Sequence, residues 1–394
     1  MSESENIIRK EILSEGKISF ARFVQIALYH PIFGYYSNNN PIGTNSHYLT
    51  SPFIHPAFGS SISKHFYLMW KFMKYPKKFQ ILELGCSTGI LAETIYSYSK
   101  NISLDFSNAL QYIGIDRGMN KTNSFNTIKS DIIPLKNITG CIISNELIDS
   151  FPFHRFKIIN NEVKEIYVTI ENNKFISFPD KPSSKTIDQK LDKLKYQLPN
   201  NFEGEICLEI EKLFASISKS FLKGFIVTID YGAEREFLYH NTRSHGTIQT
   251  YFKHTSGASP FQRIGDQDIT ANIDFSSLIE AGILNNIKPV SLCSQKEFLE
   301  IFGIKKWMAN IQNSKLRQSS KQINLGNMQK LIHSQGLGNF KVLIQEKNTG
   351  LKNAKEILPE IDDTFQYFFN LPTPINNISE SENSYTTLDQ YIIP

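Results

Sequence analysis

The stretch ILELGCSTGI, residues 81–90, carries an acidic residue and two glycines at a spacing suited to holding a small molecule. Glu83 ends an apolar, strand-like run, and Gly85 and Gly89 bracket the turn into a helix that begins near Ile90. Glycines suit such a turn because a side chain would prevent the sharp bend and the close approach of the backbone to a ligand. The dinucleotide pattern GxGxxG is absent, which disfavours a nicotinamide or flavin oxidoreductase.

The charge beside this turn indicates which ligand it would hold. A dinucleotide places its pyrophosphate at a helix N-terminus, whereas S-adenosylmethionine has no phosphate and carries a positive sulfonium. A carboxylate beside the loop attracts that cation, and Glu83 is placed to supply it. The stretch therefore predicts an S-adenosylmethionine loop formed by Glu83, Gly85, Ser87 and Gly89, although a strand, a glycine turn and a helix in succession is also a common structural arrangement.

Polar residues follow the next strand-like runs in the same way. Asp116 ends LQYIGID, where α/β cofactor folds place a carboxylate that accepts both ribose hydroxyls. Asp131 follows the third run and is a candidate for the adenine amino group, and Asn145 follows the fourth, at the crevice outside the strand ends. Asp131 on its own could be a turn residue, but the joint occurrence of these residues predicts a donor site.

The elements that must position these residues alternate along the chain. From Phe79 onward, short β runs separated by helical stretches predict an α/β fold, with a parallel sheet and helices on its faces. Two helices are predicted before it, at about 2–15 and 20–28. Within it, the β-rich runs of 156–178, separated by Asn-Asn pairs, predict an inserted antiparallel meander.

The second half continues this alternation. Apolar residues at three- and four-residue spacing predict an amphipathic helix from Ile206 to near Gly224, followed by the strand FIVTID. The polar stretch 233–272 predicts an ordered functional loop. The segment FSSLIEAGIL predicts a helix, and a strand, more helix to about 333 and a last strand in NFKVLIQEK are predicted after it.

These elements predict three regions. An N-terminal helical and loop region, 1–75, is expected to cover the site. A Rossmann-like domain, 76–349, carries insertions at about 156–205 and 233–272, which are expected to form the substrate region. The remainder, 350–394, is expected to be a tail.

Composition excludes several classes of function. The formal net charge of +4 is spread without a basic tract, so nucleic acid is not an expected partner. The four cysteines form no CxxC pair, so neither a metal site nor a disulfide framework is indicated, and a reducing compartment is expected. The start MSESENIIRK resembles neither a signal nor a transit peptide, and no apolar run of about 18 residues occurs. The expected location is the cytoplasm, without membrane insertion, or the mitochondrial matrix if the source is eukaryotic.

Seven segments together resemble the MidA family of S-adenosylmethionine-dependent methyltransferases, over about 16–347. In the family's order, they are ISFARFVQIALYHPIFGYY, TSPFIHPAFG, ILELGCSTG, SNELIDSFPFHRF, IDYG, RSHGTIQTYFKH and GDQDITANIDFSSL. The resemblance implies a class I methyltransferase fold with S-adenosylmethionine as cofactor. Mitochondrial members symmetrically dimethylate an arginine on a core subunit of respiratory complex I and assist its assembly, so the resemblance implies a protein substrate of this kind. A homodimer is left open.

The chain departs from the family pattern at several positions near the expected pocket. Ser87 stands where the loop usually has glycine, and Ser46-His47-Tyr48 stands where Gly-Asp-Phe is usual. Phe53 replaces a glutamate, and Asn272 replaces a histidine. The lost acidic residues leave a second hypothesis open, in which a methyltransferase fold with weakened catalysis acts as an assembly chaperone.

An arginine substrate calls for carboxylates, because the planar guanidinium pairs bidentately with Asp or Glu. Glu146 and Asp149, three residues apart after the fourth strand, are the candidates for catalysis, with a cap or turn as the alternative for Asp149. His154 is a candidate proton acceptor or partner for a substrate carbonyl, with an ordinary structural bond as the alternative.

Four further residues are expected to line the substrate pocket. Asp230, Tyr231 and Gly232 end a strand at the same sheet edge, where Tyr231 would form a wall. Asp268, in GDQDIT, either contacts the substrate or orders the long loop.

Overall fold

The computed structural model describes residues 2–37, 50–118, 125–192, 198–253, 255–257 and 259–359. The α-helices are α1 (Glu3–Glu15), α2 (Phe20–Tyr29), α3 (Ser51–Ile54), α4 (Ala57–Phe72), α5 (Ile90–Ile102), α6 (Leu104–Ala109), α7 (Lys185–Leu191), α8 (Glu209–Ser220), α9 (Arg235–Leu238), α10 (Phe275–Leu284), α11 (Gln295–Ile301), α12 (Ile304–Gln312) and α13 (Gln318–Leu331). The strands are β1 (Ile18–Ser19), β2 (Phe79–Leu84), β3 (Leu110–Asp116), β4 (Asn126–Lys129), β5 (Ile138–Asn145), β6 (His154–Ile159), β7 (Glu162–Glu171), β8 (Lys174–Asp180), β9 (Glu203–Ile206), β10 (Phe221–Asp230), β11 (Gly232–Ala233), β12 (Gln249–Phe252), β13 (Thr255–Ser256), β14 (Asp268–Thr270), β15 (Ile273–Asp274), β16 (Lys288–Ser294) and β17 (Lys341–Lys347).

The chain forms two compact units, each assembled from three stretches of sequence. The large-sheet unit comprises the described residues of Leu49–Asn145, Ile217–Asp230 and Asn286–Pro394. The meander unit comprises the described residues of Met1–Tyr48, Glu146–Ser216 and Tyr231–Asn285. The predicted region boundaries at 75 and 349 stay predictions.

The large-sheet unit is built on seven strands in the order β16-β17-β10-β5-β2-β3-β4. Strands β10, β5, β2, β3 and β4 are parallel, whereas β17 pairs antiparallel with both β10 and β16. Numbered by their succession within this sheet, the strands read 3-2-1-4-5-7-6. The mostly parallel α/β sheet predicted from the alternating pattern is therefore confirmed, and the order reverses between β2 and β5, where such sheets bind ligands.

Apolar strand residues and helices form the core of this unit. Ile81, Ile143 and Val227, from three adjacent strands, are fully buried in one cluster with side chains of α4, α5 and the helices between β16 and β17. Near-continuous apolar runs such as FIVTID follow from this placement, because parallel strands are covered on both faces.

The meander unit contains the predicted insertion. Strands β6, β7 and β8 pair antiparallel in succession, and β1 and β9 extend the same sheet. The two predicted N-terminal helices are confirmed as α1 and α2, and Ser19 caps α2 by accepting the Arg22 N–H. Phe20 and Phe23 of α2 are fully buried in a cluster that also holds Val168 and Ile269.

The helix predicted from Ile206 to near Gly224 is wrong at both ends. Ile206 belongs to β9, and α8 covers only Glu209–Ser220. Strand β10 begins at Phe221, because the residues from there onward pair with β5 from Ile138. Ladder hydrogen bonds thus override the helical spacing of apolar residues. None of the helices described here is long and apolar enough to cross a membrane.

Gly140 of β5 has a backbone that a side chain would disrupt. Its φ is 144°, and a Cβ there would lie 2.1 Å from the carbonyl oxygen of Gln80 on β2. We expect Gly140→Ala to destabilise the protein by about 3 kcal/mol or more, measured by urea unfolding. Gly326→Ala, inside α13 with no atom within 4 Å of the new Cβ, is the control and should stabilise by about 1 kcal/mol. Equal effects of the two substitutions would contradict this account of the sheet.

Candidate functional site

The predicted glycine loop leaves β2 with three residues in the left-handed region. The φ angles of Gly85, Ser87 and Gly89 are 73°, 45° and 82°. The Gly85 N–H donates to the Ile115 carbonyl at 2.8 Å, and the Ser87 N–H donates to Asp116 Oδ2 at 2.9 Å. Two backbone donors thus fix the loop to the end of β3, and Gly89 forms the N-terminal boundary of α5.

Ser87 therefore holds a conformation that glycine adopts more easily. A left-handed backbone costs a residue with a Cβ roughly 1–2 kcal/mol. The hydrogen bond from its N–H to Asp116 is made by the backbone and does not depend on the side chain. Serine at this position raises the cost of the loop while keeping its shape.

Glu83 is a buried carboxyl group at the end of the same strand. It is 3% exposed, and its Oε2 accepts a hydrogen bond from the Tyr112 hydroxyl at 2.8 Å. Burial raises the pKa of Glu83 to about 8; the Tyr112 hydrogen bond opposes this shift and the charge of Asp116 adds to it. A cation placed beside Glu83 would favour its ionised form. This chemistry suits a ligand that carries a sulfonium.

Asp116 is held from both sides. Besides the Ser87 N–H on Oδ2, its Oδ1 accepts the Gly118 N–H at 2.8 Å. Two backbone donors orient this half-buried carboxylate, which leaves it suited to accept further hydroxyl donors such as those of a ribose.

Three other predicted residues lie at or just beyond the ends of strands of the large sheet. Asn145 is the half-buried last residue of β5, and Asp230, 1% exposed, is the last residue of β10. Asp131 lies two residues beyond β4 and is exposed. Among the residues predicted to bind the donor, a hydrogen bond joins the Ser87 N–H to Asp116 Oδ2. The roles of Asp131 and Asn145 in donor binding stay predictions.

A second group of polar residues lies in the meander unit around Tyr251. Burial, followed by the charges of Asp149, Asp268 and Glu146, raises the pKa of the Tyr251 hydroxyl. Asp149 is 8% exposed and Asp268 is 1% exposed. The charges of three residues chosen from the sequence thus act on one phenol, and Asp268 lies directly opposite Tyr251 in the pairing of β14 with β12. We call Glu146, Asp149, Asp268 and Tyr251 the acidic cluster.

The backbone at Glu146 is strained. Its φ is 49°, in the left-handed region that is uncommon for residues other than glycine, asparagine and aspartate. Strain of this kind costs of order 1–3 kcal/mol and persists where the surroundings determine the conformation, often at functional sites. Glu146 follows directly on the last residue of β5, which sets where its side chain begins.

Two tyrosines adjoin the acidic cluster that sequence reasoning did not select. The Tyr36 hydroxyl donates to Asp268 Oδ1 at 2.9 Å, and the Ile269 N–H donates to the same oxygen at 2.9 Å. The Tyr36 ring stacks on Tyr29, with centroids 5.4 Å apart. The charge of Asp268 adds to the burial that raises the pKa of Tyr35. The sequence feature that could have identified Tyr35 and Tyr36 is their position in FGYY, at the end of the family-like stretch ISFARFVQIALYHPIFGYY.

The remaining candidates occupy well-defined positions in the meander unit. His154 begins β6, and its Nδ1 lies 2.7 Å from Oε1 of the fully buried Glu165. The Tyr231 carbonyl accepts the Ile273 N–H at 3.1 Å. A Cβ on Gly232 would lie 2.2 Å from the Ile273 carbonyl oxygen, so glycine is needed for this close pairing. These contacts are structural, and the predicted roles of the three residues in catalysis and in the pocket stay predictions.

The departures from the family pattern fall in different places. Phe53 lies in α3 and is half-buried, and the Asn272 N–H donates to Thr247 Oγ1 at 3.0 Å. The segment Ser46-His47-Tyr48 and the tail beyond 359 lie outside the described residues.

Comparison with known sequences gives a family match. Residues 61–291 match the model of a family of S-adenosyl-L-methionine-dependent methyltransferases. The zebrafish (Danio rerio) protein named protein arginine methyltransferase NDUFAF7, mitochondrial, is 22% identical, and the alignment covers 87% of this chain and 83% of that protein. The mouse (Mus musculus) protein of the same name is also 22% identical, with coverage of 83% and 80%.

Solved structures agree with the fold. A protein from Burkholderia thailandensis crystallised with S-adenosyl-homocysteine superposes with a TM-score of 0.79 at 22% sequence identity, covering 92% of this chain and 96% of that one. A native crystal structure of a protein from the same bacterium gives a TM-score of 0.77. The predicted class I methyltransferase fold is confirmed.

The raised pKa of Glu83 predicts how the stability of the protein depends on pH. Between the ordinary pKa of glutamate, 4.5, and about 8, the folded protein keeps a proton that the unfolded chain releases. Its contribution to the free energy of unfolding therefore falls by at most about 1.4 kcal/mol per pH unit as the pH rises through this window. Glu83→Gln should remove this part of the decline, measured by urea unfolding at pH 5, 6, 7 and 8. Parallel pH profiles for the variant and the wild type would contradict the assignment.

The same group predicts proton release on donor binding. At pH 7, Glu83 is mostly protonated, and a sulfonium beside it would expel the proton. Calorimetric titration in buffers of different ionisation enthalpy should show up to one proton released with S-adenosylmethionine and fewer with the uncharged thioether S-adenosylhomocysteine. Glu83→Gln should remove the difference between the two ligands. Equal proton release for both ligands in the wild type would place the sulfonium away from Glu83.

Proposed function

Because the chain belongs to the S-adenosylmethionine-dependent methyltransferases of the MidA family that its sequence resembles, we propose that it methylates an arginine side chain of a protein. Relatives that cover more than four-fifths of the chain bear the name protein arginine methyltransferase. The acidic cluster is the observation that carries the proposal, because the charges of three carboxyl groups act on the Tyr251 hydroxyl and one of them, Asp268, accepts a hydrogen bond from the Tyr36 hydroxyl.

The acidic cluster suits a guanidinium in charge and in its hydrogen-bond acceptors. Arginine presents five N–H donors in a rigid plane, which carboxylates accept two at a time. Asp268 is fixed for this task because its Oδ1 accepts the Tyr36 hydroxyl and the Ile269 N–H, so its carboxylate cannot rotate freely. A substrate held in one orientation loses less entropy at the reaction step. This positioning supplies much of the rate of a displacement of this kind.

The residues of the chain would bind the guanidinium and remove its proton. The donor, when bound, supplies an electrophilic methyl group. Glu146 and Asp149 accept N–H bonds from the guanidinium, and a carboxylate oxygen of Glu146 accepts the proton that the methylated nitrogen loses. His154 is the alternative acceptor, through Nε2, since its Nδ1 is paired with Glu165.

The finer parts of the proposal concern the target. A complex I subunit, symmetric dimethylation and a role in assembly rest on the family resemblance, and a cytoplasmic location and a homodimer stay predictions. The competing hypothesis is an assembly chaperone without turnover. Detection of methylarginine in a partner protein separates the two.

Removing charge from the acidic cluster should slow arginine methylation while donor binding persists. We expect Asp268→Asn and Glu146→Gln each to lower the rate about 10- to 100-fold, since a hydrogen bond to a charged group contributes about 1.5–3 kcal/mol. The protein would be incubated with tritiated S-adenosylmethionine and a cell extract from its source depleted of this protein. Hydrolysis of the labelled proteins then identifies the methylated amino acid.

Asp188→Asn, which changes an exposed carboxylate of α7 in the same unit, is the matched control and should act as the wild type does. Label in methyl-lysine or methyl-histidine would refute the arginine proposal. Donor binding without any transfer would favour the chaperone.

A further inference from the structure

The three-stranded sheet of β13, β12 and β14 has two chemically different faces. In the antiparallel pairing of β12 with β14, Gln249 lies opposite Thr270, Thr250 opposite Ile269, and Tyr251 opposite Asp268. Opposite residues of an antiparallel pair project from the same face, and successive residues alternate between faces. One face of the sheet therefore carries Thr250 and Ile269, and the other carries the remaining four residues.

The first face packs on the interior of the meander unit. Ile269 is fully buried in the cluster formed with Phe20 and Phe23 of α2, and Thr250 is 2% exposed. The other face is polar along its whole length. It carries two members of the acidic cluster, Tyr251 and Asp268, and we call it the polar face.

Thr270 is the residue of the polar face that the acidic cluster does not account for. It is 2% exposed, and its Oγ1 makes no hydrogen bond within residues 2–37, 50–118, 125–192, 198–253, 255–257 and 259–359. A buried hydroxyl without a partner destabilises a folded protein, and buried side-chain hydroxyls in native structures are for the most part bonded. Valine has nearly the same shape and would fill the position without this cost. The hydroxyl thus points to a partner that arrives from outside the chain.

The neighbours of Thr270 indicate the chemistry of that partner. Asp268 lies two residues away on the same face, roughly 6.7 Å along the strand. Gln249, directly opposite Thr270, accepts the hydroxyl hydrogen of Tyr251 on its Oε1. The face thus offers a row of oxygen acceptors next to a buried carboxylate, which suits a flat cation with several N–H donors.

We propose that Thr270 contacts the substrate, its Oγ1 accepting an N–H bond from the guanidinium whose charge pairs with Asp268. The inference rests on the proposed arginine methylation and extends it to a residue that determines specificity. A carboxylate and an uncharged acceptor spaced along one strand bind opposite edges of a planar guanidinium. The compact ammonium group of lysine reaches one of them at a time. Thr270 therefore favours arginine over lysine.

Thr270→Val tests this directly, because the two expected effects have opposite signs. Without the buried hydroxyl, the melting temperature should rise by about 2–4 °C. The affinity for acetyl-Gly-Arg-Gly-amide, titrated into protein saturated with S-adenosylhomocysteine and followed by ligand NMR, should fall about tenfold. The affinity for acetyl-Gly-Lys-Gly-amide should change less than twofold. Thr270→Ser keeps a hydroxyl at the position and should bind the arginine peptide as the wild type does.

Each other outcome would overturn the inference in a recognisable way. A lower melting temperature for Thr270→Val would mean that Oγ1 has a partner within the protein. Unchanged arginine-peptide affinity in a stabilised variant would remove Thr270 from the substrate site and leave the proposed function intact. Donor binding by the wild type without any binding of the arginine peptide would defeat the proposed function, and the role of Thr270 with it.

Discussion

The parallel register of β2 with β3 and β5 is the constraint on which the donor side of this protein depends. Leu84, the last residue of β2, lies opposite Ile115 on one side and Ser144 on the other. Residues that follow these strands must therefore emerge at one edge, which brings the glycine loop beside Asp116. The loop extends the same ladder, since the Gly85 N–H donates to the Ile115 carbonyl. A sequence that keeps this register keeps the loop.

The carboxyl groups of Glu83, Asp116 and Asp268 differ in the hydrogen-bond donors that contact them, and we infer their different roles from this difference. Asp116 accepts two backbone N–H groups, and Asp268 accepts a hydroxyl and a backbone N–H. For Glu83 the Tyr112 hydroxyl is the donor among the described residues, and burial holds its pKa near 8. A cation beside Glu83 would favour its ionised form, and hydrogen bonds hold Asp116 and Asp268 in place as acceptors.

The sequence was sufficient where a pattern is local and insufficient where it depends on distant pairing. The helix predicted at 20–28, the helix predicted in FSSLIEAGIL and the β runs of the large sheet are elements that the structure confirms. Glu146, Asp149 and Asp268 were selected from their position in motifs, and the charges of all three raise the pKa of one tyrosine.

Tyr36, Tyr251 and Thr270 lie in family-like stretches but were missed, because their contacts depend on pairing between distant parts of the chain. Tyr36 meets Asp268 across 232 positions of sequence, and Thr270 joins the polar face only through the pairing of β12 with β14. The predicted boundary between α8 and β10 was wrong for the same reason, since the pairing of β10 with β5 determines where the helix ends.

The departures at Ser87 and Phe53 are weaker evidence for a disabled enzyme than the sequence alone suggested. Ser87 keeps the backbone donor to Asp116 at some cost in strain, and three carboxylates remain in the acidic cluster whatever residue occupies position 53. A chaperone would need neither the strained Glu146 backbone nor a buried Thr270 hydroxyl, whereas both fit the proposed catalysis and substrate binding.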